Sequence, residues 1–350
     1  MGKFKAVRLN ATTYPTESVE REELARVGAV LTEIEGQWPA EILAAAEDCD
    51  ALLVVSSTIP RQVIERLRNC RVISRLGAGT DKIDVTAATE HGILVTNVPD
   101  FCLNEQAEHT MALLLTFHRR LPYMMESMRI GNWTARSHPD VHRLAGQTLG
   151  LIGFGASAQA VAVRAAAFGL LLLAWVRNPD KDSGIAAQFG VKLAPFDTVL
   201  ANSDYMSLHL PLTTETRGII NESRLRLLKS TAVLINTARG ALVDEAALID
   251  ALRSRRIGGA ALDVFEGINV FAEPGPPPAH PLFELDNVLL TPHCAGSSVE
   301  SSFDSKTRGA HNAALVLSGQ SPRHIVNPEV LDATSNRLMQ NECSDSSGLW

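Results

Sequence analysis

The feature that most constrains this chain is an alternation running along most of its length: short apolar runs, each followed by a segment of helical spacing. In the first hundred residues the runs are "AVRLN" (6–10), "AVLTEI" (29–34), "ALLVVS" (51–56), "RVISR" (71–75) and "GILVTN" (92–97). Between them, "VEREELARVG", "PAEILAAAEDC", "PRQVIERLRNC" and "DVTAATEHG" place apolar residues three and four apart, with proline in a first turn and glycine at a stop. Strands joined by helices of this length pair in parallel, because a helical crossover returns the chain to the edge where it started. A parallel sheet needs cover on both faces, so the fold class is α/β. A second series begins near 148, with strands "TLGLIG", "LLLLAWV", a short one near "VKL", "YMSLHL", "AVLINT", "GGAALDV" and "NVLLTP". Two series in 350 residues predict two domains. The long helix "NEQAEHTMALLLTFHRR" (104–120) between them is more apolar than a surface helix, which suggests a subunit or domain contact.

Bulk properties exclude several classes. The net charge of −7 argues against a nucleic-acid binder held by phosphate contacts. The longest apolar run, "GLLLLAWV" (169–176), is too short to span a bilayer, and "MGKFKAVRLN" lacks the apolar core of a signal peptide. The cysteines, at 49, 70, 102, 294 and 343, are odd in number and show no metal-ligand spacing. The expectation is a reduced, cytoplasmic protein without a metal. The final residues, 331–350, are polar and aperiodic and are expected to be mobile. The Pro-rich stretch "EGINVFAEPGPPPAHP" (266–281) reads as a long functional or disordered loop.

"GFGASA" follows the strand "TLGLI" and opens the helix "AQAVAVRAAAFG". Its spacing is Gly153-x-Gly155-x-x-Ala158. In a dinucleotide fold the first glycine makes the tight turn, the second admits the pyrophosphate, and the third small residue lets helix pack on strand. Ala156 and Ser157 then begin a helix whose N-terminal amides favour phosphate. A dinucleotide is therefore the predicted ligand, NAD or NADP.

Ligands of open α/β sheets bind beyond the carboxyl ends of the strands. In the second series the polar residues at those ends are His209, Asn236-Thr237-Ala238-Arg239-Gly240, Asp263 and His293. Arginine offers a rigid fork of donors to a carboxylate, and histidine can move a proton near neutral pH when a carboxylate holds its other ring nitrogen. Such a set beside a dinucleotide suits hydride transfer to a keto acid.

Seven stretches in order resemble the NAD(P)-dependent D-isomer-specific 2-hydroxyacid dehydrogenases, the group that includes phosphoglycerate dehydrogenase. They are "RLGAGTDKID" (75–84), "NVPDFCLNEQAEHTMALLL" (97–115), "GQTLGLIGFGASAQAVAVRAAAFG" (146–169), "SLHLPLTTETRGIIN" (207–221), "LINTARGALVDEAAL" (234–248), "GAALDVFE" (259–266) and "NVLLTPHCAG" (287–296). The resemblance implies two Rossmann-like domains. One is a doubly wound NAD(P)-binding domain over 99–296; the other is a discontinuous, flavodoxin-like substrate domain from 1–98 plus 297–330. It also implies catalysis in a cleft and a homodimer. Arg239 would hold the substrate carboxylate and His293 would be the acid/base. Asp263 would lie by the nicotinamide, with Thr237, Ala238, His209 and Gly296 around the cofactor. The amides of Leu76, Gly77, Ala78 and Gly79, with Arg75, would cradle the substrate, a 2-oxo or 2-hydroxy acid.

Three departures from the family pattern stand out. The glutamate that pairs with the histidine usually lies five residues after the DVF aspartate, where this chain has Ile268; Glu273, before Pro274, is the choice here, with Glu266 its competitor. The acid that binds the adenosine ribose is replaced by Val176, followed by Arg177, which could meet a 2′-phosphate, although Asp180 could compensate. Val55 stands where phosphoglycerate enzymes carry an arginine. The stretch "HRLAGQTLGLIGFG" also resembles the C-terminal-binding-protein branch, so a dinucleotide-sensing corepressor is the alternative to an enzyme. Oxidation of formate or phosphite would use the same fold.

Overall fold

Each apolar run forms a strand in the computed structural model, which describes residues 2–134, 141–270, 275–276 and 278–331. Glu273 and residues 332–350 lie outside the described residues. The chain divides into two units: Met1–Phe101 with Ser298–Trp350, and Cys102–Ser297.

The first unit is built on β1 (Phe4–Arg8), β2 (Ala29–Glu33), β3 (Ala51–Val54), β4 (Val72–Arg75) and β5 (Leu94–Thr96), paired in parallel in the order β2-β1-β3-β4-β5. Strands buried on both faces carry unbroken apolar runs, and β3 and β5 are buried at every residue. One face packs Ile42, Leu43, Val63, Ile64 and Ala87 from the helices Pro39–Ala46, Arg61–Ile64 and Val85–Glu90. The other receives Leu24 together with Ala310, Ala313, Val316 and Leu317 of the helix Val299–Leu317. Asn327 secures β5, accepting from Val95 N (2.7 Å) and donating to Ile93 O (2.9 Å). The strand order reverses between β1 and β3. There the buried Asn10, at φ +64°, accepts from the Ser56 and Ser57 amides and donates to Ser57 Oγ (2.8 Å).

The second unit contains β6 (Thr148–Ile152), β7 (Leu171–Trp175), β8 (Lys192–Leu193), β9 (Tyr205–Leu208), β10 (Val233–Asn236), β11 (Gly259–Leu262) and β12 (Val288–Leu290). All are parallel, in the order β12-β11-β10-β9-β6-β7-β8, so the switch point falls between β6 and β9. The helix Leu103–His118 buries Ala107, Thr110, Met111, Leu113 and Leu114. It lies in the same core as Ala158, Val161, Ala162 and Ala165 of the helix Ala156–Ala167. Its apolar character is thus accounted for within this unit. Exposed apolar side chains cluster instead on and just beyond the next helix, Leu121–Arg129: Leu121, Tyr123, Met125, Met128 and Ile130. No helix among the described residues is long and apolar enough to cross a membrane.

Candidate active site

The glycine turn sits at the switch point, where a doubly wound sheet opens a crevice. Gly153 has φ +95°, and a Cβ there would lie 2.6 Å from the His209 carbonyl oxygen. The fold itself therefore requires glycine at 153. At Gly155 the opposite holds: φ is −74° and a Cβ would meet nothing within 4 Å among the described residues. None of them forces glycine at 155, so its missing side chain leaves space on the exposed side of the turn, as a pyrophosphate needs. Gly155 caps the helix Ala156–Ala167, whose first amides have no intrahelical acceptor and point at that space. Ala158 is fully buried, so the helix lies tight against the sheet.

A hydrogen-bonded chain ties this turn to the ends of β9 and β10. Ser157 Oγ donates to Gln106 Oε1 (2.9 Å), which commits its one hydrogen, so His209 Nδ1 donates to Ser157 Oγ (3.0 Å). His209 Nε2 then accepts from Ser207 Oγ (2.9 Å). Burial pushes the His209 pKa down to about 4, consistent with this neutral tautomer. Gln106 Nε2 donates to Thr237 O (2.9 Å), and Thr110 Oγ1 lies 3.0 Å from Thr237 Oγ1. The His209 side chain therefore holds the turn through Ser157, while Gln106 and Thr110 tie the helix Leu103–His118 to Thr237. Gln106 and Thr110 were missed at the level of sequence, where their one signal was polarity on an apolar helix.

Arg239 follows β10 on a backbone locked by Asn236. The Asn236 side chain donates to Arg239 O (2.8 Å) and accepts from Ala238 N (3.0 Å). Arg239 is half-buried, and its Nη1 donates to Ala238 O (2.7 Å), which orients the guanidinium. Glu266 lies close by, its Oε1 2.8 Å from where a side chain at Gly240 would begin.

Asp263, at the end of β11, is 1% exposed. Its Oδ1 accepts from Thr291 Oγ1 (2.6 Å) and Cys294 N (2.9 Å), and its Oδ2 from Ala295 N (2.9 Å). The carboxylate thus shapes the loop that carries His293 and Gly296. His293 is exposed, has φ +54°, and donates its amide to Asp263 O (2.8 Å). A non-glycine residue in the left-handed region is uncommon, and these donors to Asp263 are what hold it there.

Val176, after β7, is 8% exposed and packs into the same core as Ala158 and Ala174, so it offers the ribose no polar group; Arg177 is exposed. In the first unit, Arg75 folds back on its own loop, donating to Leu76 O (2.8 Å) and Gly79 O (3.0 Å). Of the four amides expected to form a cradle, two also bond within the fold: Leu76 N donates to Val54 O (2.8 Å) and Gly77 N to Arg75 O (2.9 Å).

Residues 111–295 match the family described as "D-isomer specific 2-hydroxyacid dehydrogenase, NAD binding domain". The chain belongs to the D-isomer-specific 2-hydroxyacid dehydrogenases. Within that family it is 39% identical over 294 residues to D-3-phosphoglycerate dehydrogenase of Methanocaldococcus jannaschii, covering 83% of this chain and 54% of that one. It is 40% identical over 303 residues to glyoxylate reductase of Thermofilum pendens, covering 84% and 87%. The structure of D-lactate dehydrogenase from Aquifex aeolicus, complexed with NAD and lactic acid, superimposes with a TM-score of 0.79 at 27% identity, covering 92% and 99%. The chain spans about half the length of the phosphoglycerate dehydrogenases it matches. The Rossmann unit around Gly153 is the family's NAD-binding domain.

Proposed function

We propose that this protein interconverts a 2-oxo acid and its D-2-hydroxy acid by hydride transfer with NAD or NADP. The observation that carries the reading is the edge at the switch point. There an open glycine turn, an oriented arginine and a histidine on a clamped loop all follow the carboxyl ends of strands in one sheet. Gly153, Gly155, Ala156 and Ser157 would hold the pyrophosphate, and Asp263 would face the nicotinamide. When bound, the dinucleotide supplies or accepts the hydride. Arg239 grips the substrate carboxylate through its fork of N–H donors and polarises the carbonyl. His293 gives the alcohol oxygen its proton on reduction and takes it back on oxidation, with Glu273 as its partner or, failing that, Glu266. Val55 packs against the apolar core and supplies no charge, which favours a small 2-oxo acid such as glyoxylate over a phosphorylated one. A turnover assay over a panel of 2-oxo acids with both cofactors tests the reading. Tight dinucleotide binding without turnover of any acid would instead favour the corepressor-like alternative.

Cofactor choice follows from Val176 and Arg177. With no acid to bind the ribose 2′-hydroxyl and a cation available for a 2′-phosphate, NADP should serve at least as well as NAD. Val176→Asp would bury a carboxylate, so Arg177→Ser is the cleaner probe. It should lower kcat/KM for NADP about tenfold relative to NAD, the scale of one charge-assisted hydrogen bond. A wild type that strongly prefers NAD would refute this.

The exposed face of Leu121, Met125 and Met128 supports a homodimer, with a second copy covering it. Light scattering should give a dimer mass for the wild type and a monomer for Met125→Glu/Met128→Glu. A monomeric wild type would remove this proposal.

A further inference from the structure

Three side chains from separate elements meet beneath the His293 loop. His109 comes from the helix Leu103–His118, Asp263 from the end of β11, and Cys294 from the segment after β12. His109 Nε2 is 3.5 Å from Asp263 Oδ1, Cys294 Sγ is 3.7 Å from the same oxygen, and all three atoms lie within 4.8 Å of one another. A tetrahedral zinc ion with ordinary bond lengths sets its nitrogen and oxygen ligands about 3.3 Å apart and its sulfur and oxygen ligands about 3.5 Å apart. Two of the three spacings are thus within a few tenths of an ångström of what such an ion imposes. Clusters of exposed acids carry no such meaning, but Asp263 is buried and faces an imidazole and a thiol, the donor types zinc selects. No local spacing in the sequence betrays the set, because its members are 109, 263 and 294.

We propose that His109, Asp263 and Cys294 form a binding site for a thiophilic divalent cation of the zinc type, adjoining His293. Binding forms a sulfur–metal bond and releases the thiol proton to solvent. The imidazole stays neutral, its ring proton moving from Nε2 to Nδ1 as Nε2 takes the metal. One thiolate, one carboxylate and a dication sum to zero charge, which a buried position tolerates better than a net charge. Thr291, which bridges His109 (2.9 Å) and Asp263 (2.6 Å), turns its hydroxyl away from Oδ1. Water or the Thr291 oxygen completes the shell. Because Asp263 O also accepts the His293 amide, an occupied site stiffens the loop that carries the acid/base and should inhibit turnover.

The test uses the full chain without an affinity tag, stripped with chelator and titrated with Co²⁺. The expected result is one Co²⁺ per chain with a thiolate-to-cobalt charge-transfer band and tetrahedral visible absorption, both displaced by Zn²⁺. Cys294→Ser should abolish the charge-transfer band, and Cys102→Ser should keep it. His109→Gln should weaken Zn²⁺ binding at least tenfold, with Cys294→Ala as a second variant if the serine form fails to fold. Absence of the band in wild type, or a band that persists without Cys294, overturns the proposal.

Discussion

Replacing Arg239 by alanine is expected to lower kcat/KM for the 2-oxo acid by about 10²–10⁴-fold. Two charge-assisted hydrogen bonds of about 1.5–3 kcal/mol each disappear, and 1.36 kcal/mol is a factor of ten. Lysine should rescue little, because a point charge lacks the planar fork that aligns carboxylate and carbonyl together. The Asn236 and Ala238 contacts keep the backbone in place in either variant, so dinucleotide affinity should survive. Steady-state kinetics with a fluorescence titration of the cofactor separate the two effects. Near-normal turnover in Arg239→Lys would end the assignment.

His293 calls for a variant that respects its backbone. At φ +54° asparagine is better tolerated than alanine, so His293→Asn removes the imidazole with the least disturbance of the loop. Turnover should fall by about 10²–10⁴-fold, the usual worth of a positioned acid/base, while cofactor binding is unchanged. Loss of both together would mean that His293 is structural. The partner carboxylate is read from the pH profile of kcat/KM. A negative charge beside the ring favours the imidazolium, so its removal moves the limb governed by His293 to lower pH. Glu273→Gln should produce that shift and Glu266→Gln should not; the reverse result would give the role to Glu266.

The strands were legible because parallel strands covered on both faces must be continuous apolar runs, a pattern visible without any partner. The glycine turn was legible for a related reason, since Gly153 and the helix it introduces are neighbours in sequence. What the sequence hid is pairing at long separation. Gln106 reaches Thr237, His109 reaches Asp263, and Asn327 reaches Val95, and no periodicity along the chain announces any of them. Asp263 shows what position alone does not reveal. Its place after β11 marked it as a ligand-facing acid, and Thr291, Cys294 and Ala295, from the segment after β12, also donate to it. The amides of Leu76 and Gly77 are similarly engaged by the fold.

The first sheet takes cover from residues far along the chain, and that has a consequence for biosynthesis. Ala310, Ala313, Val316 and Leu317 complete the core that Phe4, Ala6, Leu53 and Val72 begin, and Ser74 Oγ donates to Gly309 O (2.7 Å). As the chain leaves a ribosome, that side of the sheet has only Leu24 and its neighbours for cover until the whole of Cys102–Ser297 has followed it out. At about 5–20 residues per second, roughly 200 intervening residues impose a wait on the order of 10–40 s. The intervening Rossmann unit is continuous in sequence and meets no such delay. Nascent chains of this protein are therefore expected to expose valines and leucines of the first sheet while the Rossmann unit is free to fold, which makes that sheet the part most in need of a chaperone.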